Sequence, residues 1–175
     1  NIETLNGLEN ATILSKVSLK NNNISDVSIL AKSAESLKYL YLDNNNISDL
    51  SGLANCKNII GISASFNKLT SVEWLSEWNA LQTVLLSNNS IESASGFIKS
   101  ENLICLDLSN NKLTQIDGIV FEADGYIEVN LSNNGITSVT LPNNCHFSKL
   151  ALHGNPLTDD SFLNKTKGSD VSFNF

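Results

Sequence analysis

The sequence predicts an α/β-type repeat solenoid, with a parallel sheet of about seven to eight short strands on one side and mostly 3₁₀ or extended segments on the other. Three observations predict it. Apolar residues recur at positions 1, 4, 6 and 11 of segments starting at Leu14, Leu37, Ile59, Leu81, Leu103, Tyr126 and Phe147, spaced by 23, 22, 22, 22, 23 and 21 residues. Asparagine fills position 9 of every segment, as Asn22, Asn45, Asn67, Asn89, Asn111, Asn134 and Asn155. Within each segment the apolar spacing also changes, from two residues at positions 4 and 6 to three after position 11. A spacing of two marks a strand with one buried face, and a spacing near three suits 3₁₀ turns.

Taken in chain order, residues 1–13 come first. Ile2, Leu5, Leu8 and Ala11 extend the three-residue period backwards from Leu14, so the chain opens in the return half of an earlier repeat, or in a cap. The sequence contains no methionine, so Asn1 is expected to be the start of a processed product or excised piece. Seven repeats then occupy 14–157. The second is the cleanest, with Leu37, Leu40, Leu42, Asn45, Ile47 and Leu50 inside LKYLYLDNNNISDL. Return segments follow, such as Leu50, Leu53 and Cys56, or Val72, Leu75 and Trp78.

A lone repeat cannot bury its apolar edge, and stacking solves this. The asparagine at each turn then satisfies backbone groups that would cost about 1 to 3 kcal/mol each if left buried and unpaired. Ala64 at position 6, Ala94 and Asp160 at position 14, Pro142 at position 17 and Glu122 at position 20 depart from the pattern. Irregularity on the convex side is expected around 120–126 and 141–146. Residues 158–175 read as a C-terminal cap in which Val171 and Phe173 take positions 4 and 6 of a closing edge strand. The whole, 1–175, is expected to be a single domain.

Bulk properties narrow the partners. With 18 acidic and 11 basic residues, the net charge of −7 repels phosphate backbones and anionic bilayers, so nucleic acid is not an expected partner. No apolar run reaches the roughly 20 residues of a membrane span, so direct membrane insertion is not expected, and Asn1-Ile2-Glu3-Thr4 does not resemble a signal peptide. Cys56, Cys105 and Cys145 fit neither a disulfide framework nor a zinc pattern. Cys56 and Cys145 at position 20 read as core filling, while Cys105 is expected to be exposed. Six Asn-x-Ser/Thr triplets, for instance at Asn10, Asn46 and Asn164, read as by-products of the Asn-rich turn rather than glycan acceptors.

The pattern LxxLxLxxNxIxxLxxLxxL resembles the leucine-rich-repeat superfamily. The likeness is to its 22-residue class, shared by bacterial internalin-like surface proteins and regulators of protein phosphatase 1. Phrases such as NNNISDL at 44–50, LNGLENAT at 5–12 and LDLSNNKLTQIDGI at 106–119 are most similar to the bacterial surface set. The resemblance implies a right-handed horseshoe whose strands line a concave face that receives the partner.

On such strands positions 3, 5 and 7 point away from the core. They read Lys16, Tyr39, Gly61, Thr83, Cys105, Glu128, Lys149; Ser18, Tyr41, Ser63, Leu85, Asp107, Asn130, Ala151; and Lys20, Asp43, Ser65, Ser87, Ser109, Ser132, His153. Against mostly small polar residues, Tyr39 and Tyr41 with Leu85 form the candidate hot spot, because tyrosine is a favoured interface anchor. Lys16, Lys20, Asp43, Asp107 and Glu128 supply charge for steering a partner. Trp78 reads as core, and Trp74 as packing against a neighbouring return segment.

Catalysis needs a nucleophile, a base and an orienting group in one pocket. His153 has only Ser132 within plausible reach, and a serine there serves the turn. No catalytic residue, cofactor or metal is expected, and Asp26, Asp49 and Asp117 read as solvated loop acids. The expected function is a non-enzymatic recognition module for a protein or glycan, in a bacterial secreted or cell-surface protein. A cytosolic scaffold docking an enzyme such as a phosphatase and a structural spacer in a longer surface protein are the alternatives.

Overall fold

The computed structural model describes residues 1–94, 102–116, 119, 127–141, 143, 145–166 and 168–173. Eight strands form one parallel sheet in chain order: β1 (Lys16–Ser18), β2 (Tyr39–Tyr41), β3 (Gly61–Ser63), β4 (Thr83–Leu85), β5 (Cys105–Asp107), β6 (Ile127–Asn130), β7 (Phe147–Ala151) and β8 (Val171–Ser172). The register follows the sequence columns. Lys16 pairs with Tyr39, Tyr39 with Gly61, Gly61 with Thr83, Thr83 with Cys105 and Cys105 with Glu128. Between β6 and β7 the register slips, since Ile127 pairs with Phe147 but Glu128 with Lys149. Ser148 is the extra residue, and it falls where the repeat spacing drops to 21.

Behind the sheet, positions 4, 6 and 11 form a continuous core that includes Leu40, Leu42, Ile47, Ile62, Ala64, Leu69, Val84, Leu86 and Ile91. Leu19, at the array's start, is only half-buried because no earlier strand covers it among the described residues. Short 3₁₀ turns at Ser28–Ser33, Ser51–Leu53, Glu73–Glu77 and Ser161–Lys165 carry the return segments. Trp78 is fully buried and donates its indole N–H to the Leu53 carbonyl at 3.2 Å. Trp74 is buried as well, its ring centroid 5.0 Å from that of Trp78 and its indole N–H on the Ser71 carbonyl. Cys56 and Cys145 are buried, and burial pushes both thiols up from their ordinary range.

Asn67 shows what position 9 does. Its amide donates to the carbonyl of Ala64 in its own repeat and to that of Leu42 one repeat back, at 3.2 and 2.9 Å. Its Oδ1 accepts the backbone N–H of Ile47 at 3.0 Å. One side chain thus closes its own turn and ties two coils together, a job that needs both donors and an acceptor. Asn45, Asn89, Asn111, Asn134 and Asn155 repeat the arrangement.

Both ends of the described array continue these patterns. Ile2 donates its N–H to Asn22 Oδ1, as Ile24 does to Asn45, so Ile2 stands where position 11 of a preceding repeat would. At the other end Val171 pairs with Leu150 and Ser172 with Ala151. Phe173 meets Phe162 edge to face at 5.7 Å, which closes the last coil over the core. Asp117, Pro142 and the whole stretch 120–126 expected to be irregular, with Glu122 and Tyr126, lie outside the described residues.

Candidate functional site

Side chains alternate across a strand, so positions 3 and 5 of β1 to β7 share the face opposite the core. On β2, β3 and β4 that face is sculpted. Gly61 lies beneath the Tyr39 ring, where an added Cβ would come 3.3 Å from a ring carbon. Its missing side chain leaves a cleft of about 120 Å³ lined by Tyr39, Tyr41, Gly61, Ser63, Thr83 and Leu85, with Ile60 and Gln82 at one end. Tyr39 remains 38% exposed, whereas Tyr41 and Leu85 are half-buried.

Cations gather around Tyr41. Lys16 Nζ and Lys20 Nζ stand 5.3 and 5.1 Å from its ring centroid, within the range where the electron-rich face attracts an ammonium. Lys20 also pairs with Asp43 Oδ2 at 2.9 Å. Asp43 Oδ1 accepts the Ser63 hydroxyl and the Ser65 N–H. This carboxylate therefore braces β3 and holds Lys20 in place. Farther along, Asp107 Oδ1 accepts both the N–H and the hydroxyl of Ser109, and Glu128 pairs with Lys149 at 3.7 Å across β6 and β7. Both members of that last pair are about half exposed, so it contributes little.

Several expectations for this face need correction. Position 7 was expected on the concave surface, but Ser65, Ser87, Ser109 and Ser132 are buried. The strands end at position 5, and the chain curls over its own small serines. Ser87 donates to the Ser65 hydroxyl, and Ser132 to Asn130 Oδ1 at 2.7 Å, which occupies the hydroxyl considered as a partner for His153. Gly61, Ser63 and Ala151 are buried too. Cys105 is half-buried rather than exposed; burial, then the charges of Glu128 and Asp107, push its thiol up. It is not a reactive surface thiolate.

One residue of this rim escaped sequence reasoning. At position 8 the backbone turns left-handed in every repeat: φ lies between 54° and 60° at Asn21, Asn44, Phe66, Asn88, Asn110 and Asn133, and is 70° at Gly154. Asparagine and glycine suit that conformation; a phenylalanine there carries a penalty of roughly 1 to 2 kcal/mol. The ladder gives Phe66 no alternative, since its N–H donates to the Ser87 carbonyl and its carbonyl accepts the Asn45 N–H. Its ring is nevertheless 55% exposed. The telling signal in the sequence was a single large residue in a column of Asn and Gly.

The loop acids serve locally. Asp26, Asp49 and Asp159 each accept the backbone N–H of the serine two residues on, and these serine hydrogen bonds hold their carboxyls below the usual carboxylate range. Among the described residues no group of three His, Cys, Asp or Glu side chains is placed to hold a metal ion, and no helix is long and apolar enough to cross a membrane. Asp117 lies outside the described residues.

The sequence profile of the family "Leucine Rich repeats (2 copies)" matches residues 14–55, 35–77 and 79–120. No curated protein is a significant match by sequence. Among solved structures, the leucine-rich-repeat domain of APL1B superimposes with a TM-score of 0.81 at 24% identity, over 98% of this chain and 52% of that one. Internalin C2 of Listeria monocytogenes gives 0.80 at 22% identity, over 99% and 76%. A chain of the LRIM1/APL1C complex gives 0.71 at 21% identity, over 91% and 31%. The chain thus spans about half the length of the APL1B domain. At these identities the likenesses speak for the fold alone.

Proposed function

The chain belongs to the leucine-rich-repeat family, and from that premise we propose that it is a non-enzymatic recognition module holding a protein partner on its concave sheet face. The observation that carries this reading is the cleft on β2 to β4. On a face of mostly small side chains, two tyrosines and a leucine frame one recess, and two lysines press on one of those rings. Aromatic anchors at the centre of such a patch are the usual source of affinity, with surrounding polar residues excluding water. Tyr39, Tyr41 and Leu85 are the proposed anchors and Lys16 and Lys20 the steering charges. Asp43 and Asp107 act through the residues they hold, Lys20 and Ser63 for the first and Ser109 for the second, while Glu128 offers charge for steering farther along the face. Residues 1–175 form the proposed recognition domain.

A protein of this fold is solved as part of the LRIM1/APL1C complex, which supports a protein over a glycan as the partner. The resemblance of NNNISDL, LNGLENAT and LDLSNNKLTQIDGI to the bacterial surface set is what favours a secreted or cell-surface setting in a bacterium. The test is capture from cell-surface, matrix and cytosolic extracts by the parent and by a Tyr39→Ala, Tyr41→Ala double variant of unchanged fold. A partner kept by the parent and lost by the variant supports the concave site, and the extract that yields it fixes the compartment. Equal capture by both refutes the site, and no capture by either favours the spacer.

A further inference from the structure

Phe66 and the Tyr39/Tyr41 cleft share one end of the sheet, and the charge around them differs from that of the chain as a whole. Positions 3, 5 and 7 of the first four repeats hold two lysines, Lys16 and Lys20, and one acid, Asp43, which is spent on Lys20, Ser63 and Ser65. Lys38 and Lys68, both exposed, flank this region at positions 2 and 10. Among the described residues Lys16, Lys38 and Lys68 have no carboxylate partner. In a protein of net charge −7 this half-face is locally cationic.

The cleft itself is too small for a free metabolite. Small-molecule sites run to roughly 300 to 1,000 Å³, whereas this recess of about 120 Å³ suits a single apolar side chain. Ser63 on its floor is the last residue of β3, and Phe66 follows three residues later, where the chain has left the strand and turns left-handed. A ligand segment that fills the recess and runs on past the end of β3 thus has the exposed Phe66 ring beside it. Phe66 stays exposed in a backbone conformation that five of its six counterparts meet with asparagine, and an outlier of this kind points to use rather than to folding.

We propose that this end of the concave face binds an extended acidic segment of a partner protein, with one apolar side chain in the Tyr39/Tyr41/Leu85 recess and a second contact on the Phe66 ring. The proposal rests on the concave-face reading above and adds to it the chemistry of the ligand and one residue outside the sheet. Acidic groups of the segment meet Lys16, Lys38 and Lys68, while Lys20 stays with Asp43.

The test uses the whole chain and displayed peptides of about a dozen residues, in acidic, neutral and basic pools, with heparin as an anionic glycan control. Selected peptides are then titrated against the parent and the variants Phe66→Asn, Lys16→Glu and Tyr39→Ala/Tyr41→Ala. The expected result is enrichment of acidic peptides bearing an apolar residue, binding that weakens with added salt, and a loss of about tenfold or more for Phe66→Asn and for Lys16→Glu. Phe66→Asn installs the residue that position 8 prefers, so its melting temperature stays level or rises while affinity falls; a merely structural role would lower both. Binding that survives Phe66→Asn and Lys16→Glu but is lost in the double tyrosine variant overturns the acidic-segment inference and leaves the concave face standing. Enrichment of neutral or basic peptides, heparin binding without any peptide, or no enrichment at all also overturns it. Binding indifferent to every variant overturns both readings.

Discussion

Positions 8 and 9 of the repeat are neighbours in sequence and both are rich in asparagine, yet they answer to different physics. At position 9 all seven residues are Asn, and the side chain reaches into the turn to satisfy two carbonyls and an N–H. At position 8 the column reads Asn21, Asn44, Phe66, Asn88, Asn110, Asn133 and Gly154, and what recurs is a positive φ. The side chains there point outward and bond weakly, as Asn44 does to Asn21 at 3.0 Å in the open. A column constrained by its side chain has no room to vary. A column constrained only by its backbone has room, at a modest energetic cost, and Phe66 takes it.

The sharpest way to break this comparison is to remove one side chain from each column. Asn45→Ala strands the carbonyls of Leu19 and Leu42 and the N–H of Ile24. At about 1 to 3 kcal/mol for each buried group, partly relieved by water, the expected loss is about 3 kcal/mol or more. Asn44→Ala loses one exposed contact and places Ala at φ 56°, for a loss of about 1 kcal/mol. Thermal melts should separate the two by several degrees, since about 1 kcal/mol shifts the midpoint by roughly 2 to 4 °C at this size. Equal losses would mean that the two columns do the same work.

Phe66→Asn runs in the opposite direction. Relief of the left-handed penalty should raise stability by about 1 kcal/mol, read as a rightward shift of the urea midpoint with unchanged slope. A destabilised variant would show that the ring packs against something the exposed surface conceals, and the strain argument would fall.

The same contrast explains how much of the molecule was legible in its sequence. Register was legible because every coil must return to the sheet with matching residues: the column from Lys16 to Lys149 at position 3 is the column of paired Cα atoms. The buried asparagines were legible because their column does not vary. Position 7 was misread at its serines, since strand alternation was carried two residues past the strand's end, where Ser65 and Ser87 fold inward, whereas Lys20 and His153 of the same column stay exposed. The Gly61 recess was invisible, because a glycine in a sequence column does not announce the Tyr39 ring that covers it. Phe66 lay outside the columns that alternation brings to the face, and its one mark in the sequence, a large residue in a column of Asn and Gly, takes its meaning from the backbone conformation there.

Position 13, a few residues farther on, offers the smallest effect and the finest version of the comparison. Asp26, Asp49 and Asp159 start the return segment in repeats one, two and seven by accepting a serine N–H. In repeat three Ser71 does so instead, accepting the Glu73 N–H at 3.2 Å without a charge. The aspartate carboxyls are held below their ordinary value of 3.8 by those serine hydrogen bonds. A carboxyl depressed on folding stabilises the native state at pH above its unfolded value, and that contribution disappears as pH falls through the folded value. Stability should therefore decline below about pH 4. Asp49→Asn keeps an oxygen acceptor for Ser51 but cannot titrate, so its urea midpoint should fall less steeply between about pH 5 and about pH 3 than the parent's. Ser71→Ala should lower stability by a similar small amount at every pH. A parent and an Asp49→Asn variant with parallel acid profiles would show that the charge at position 13 adds nothing that the neutral acceptor of repeat three does not already supply.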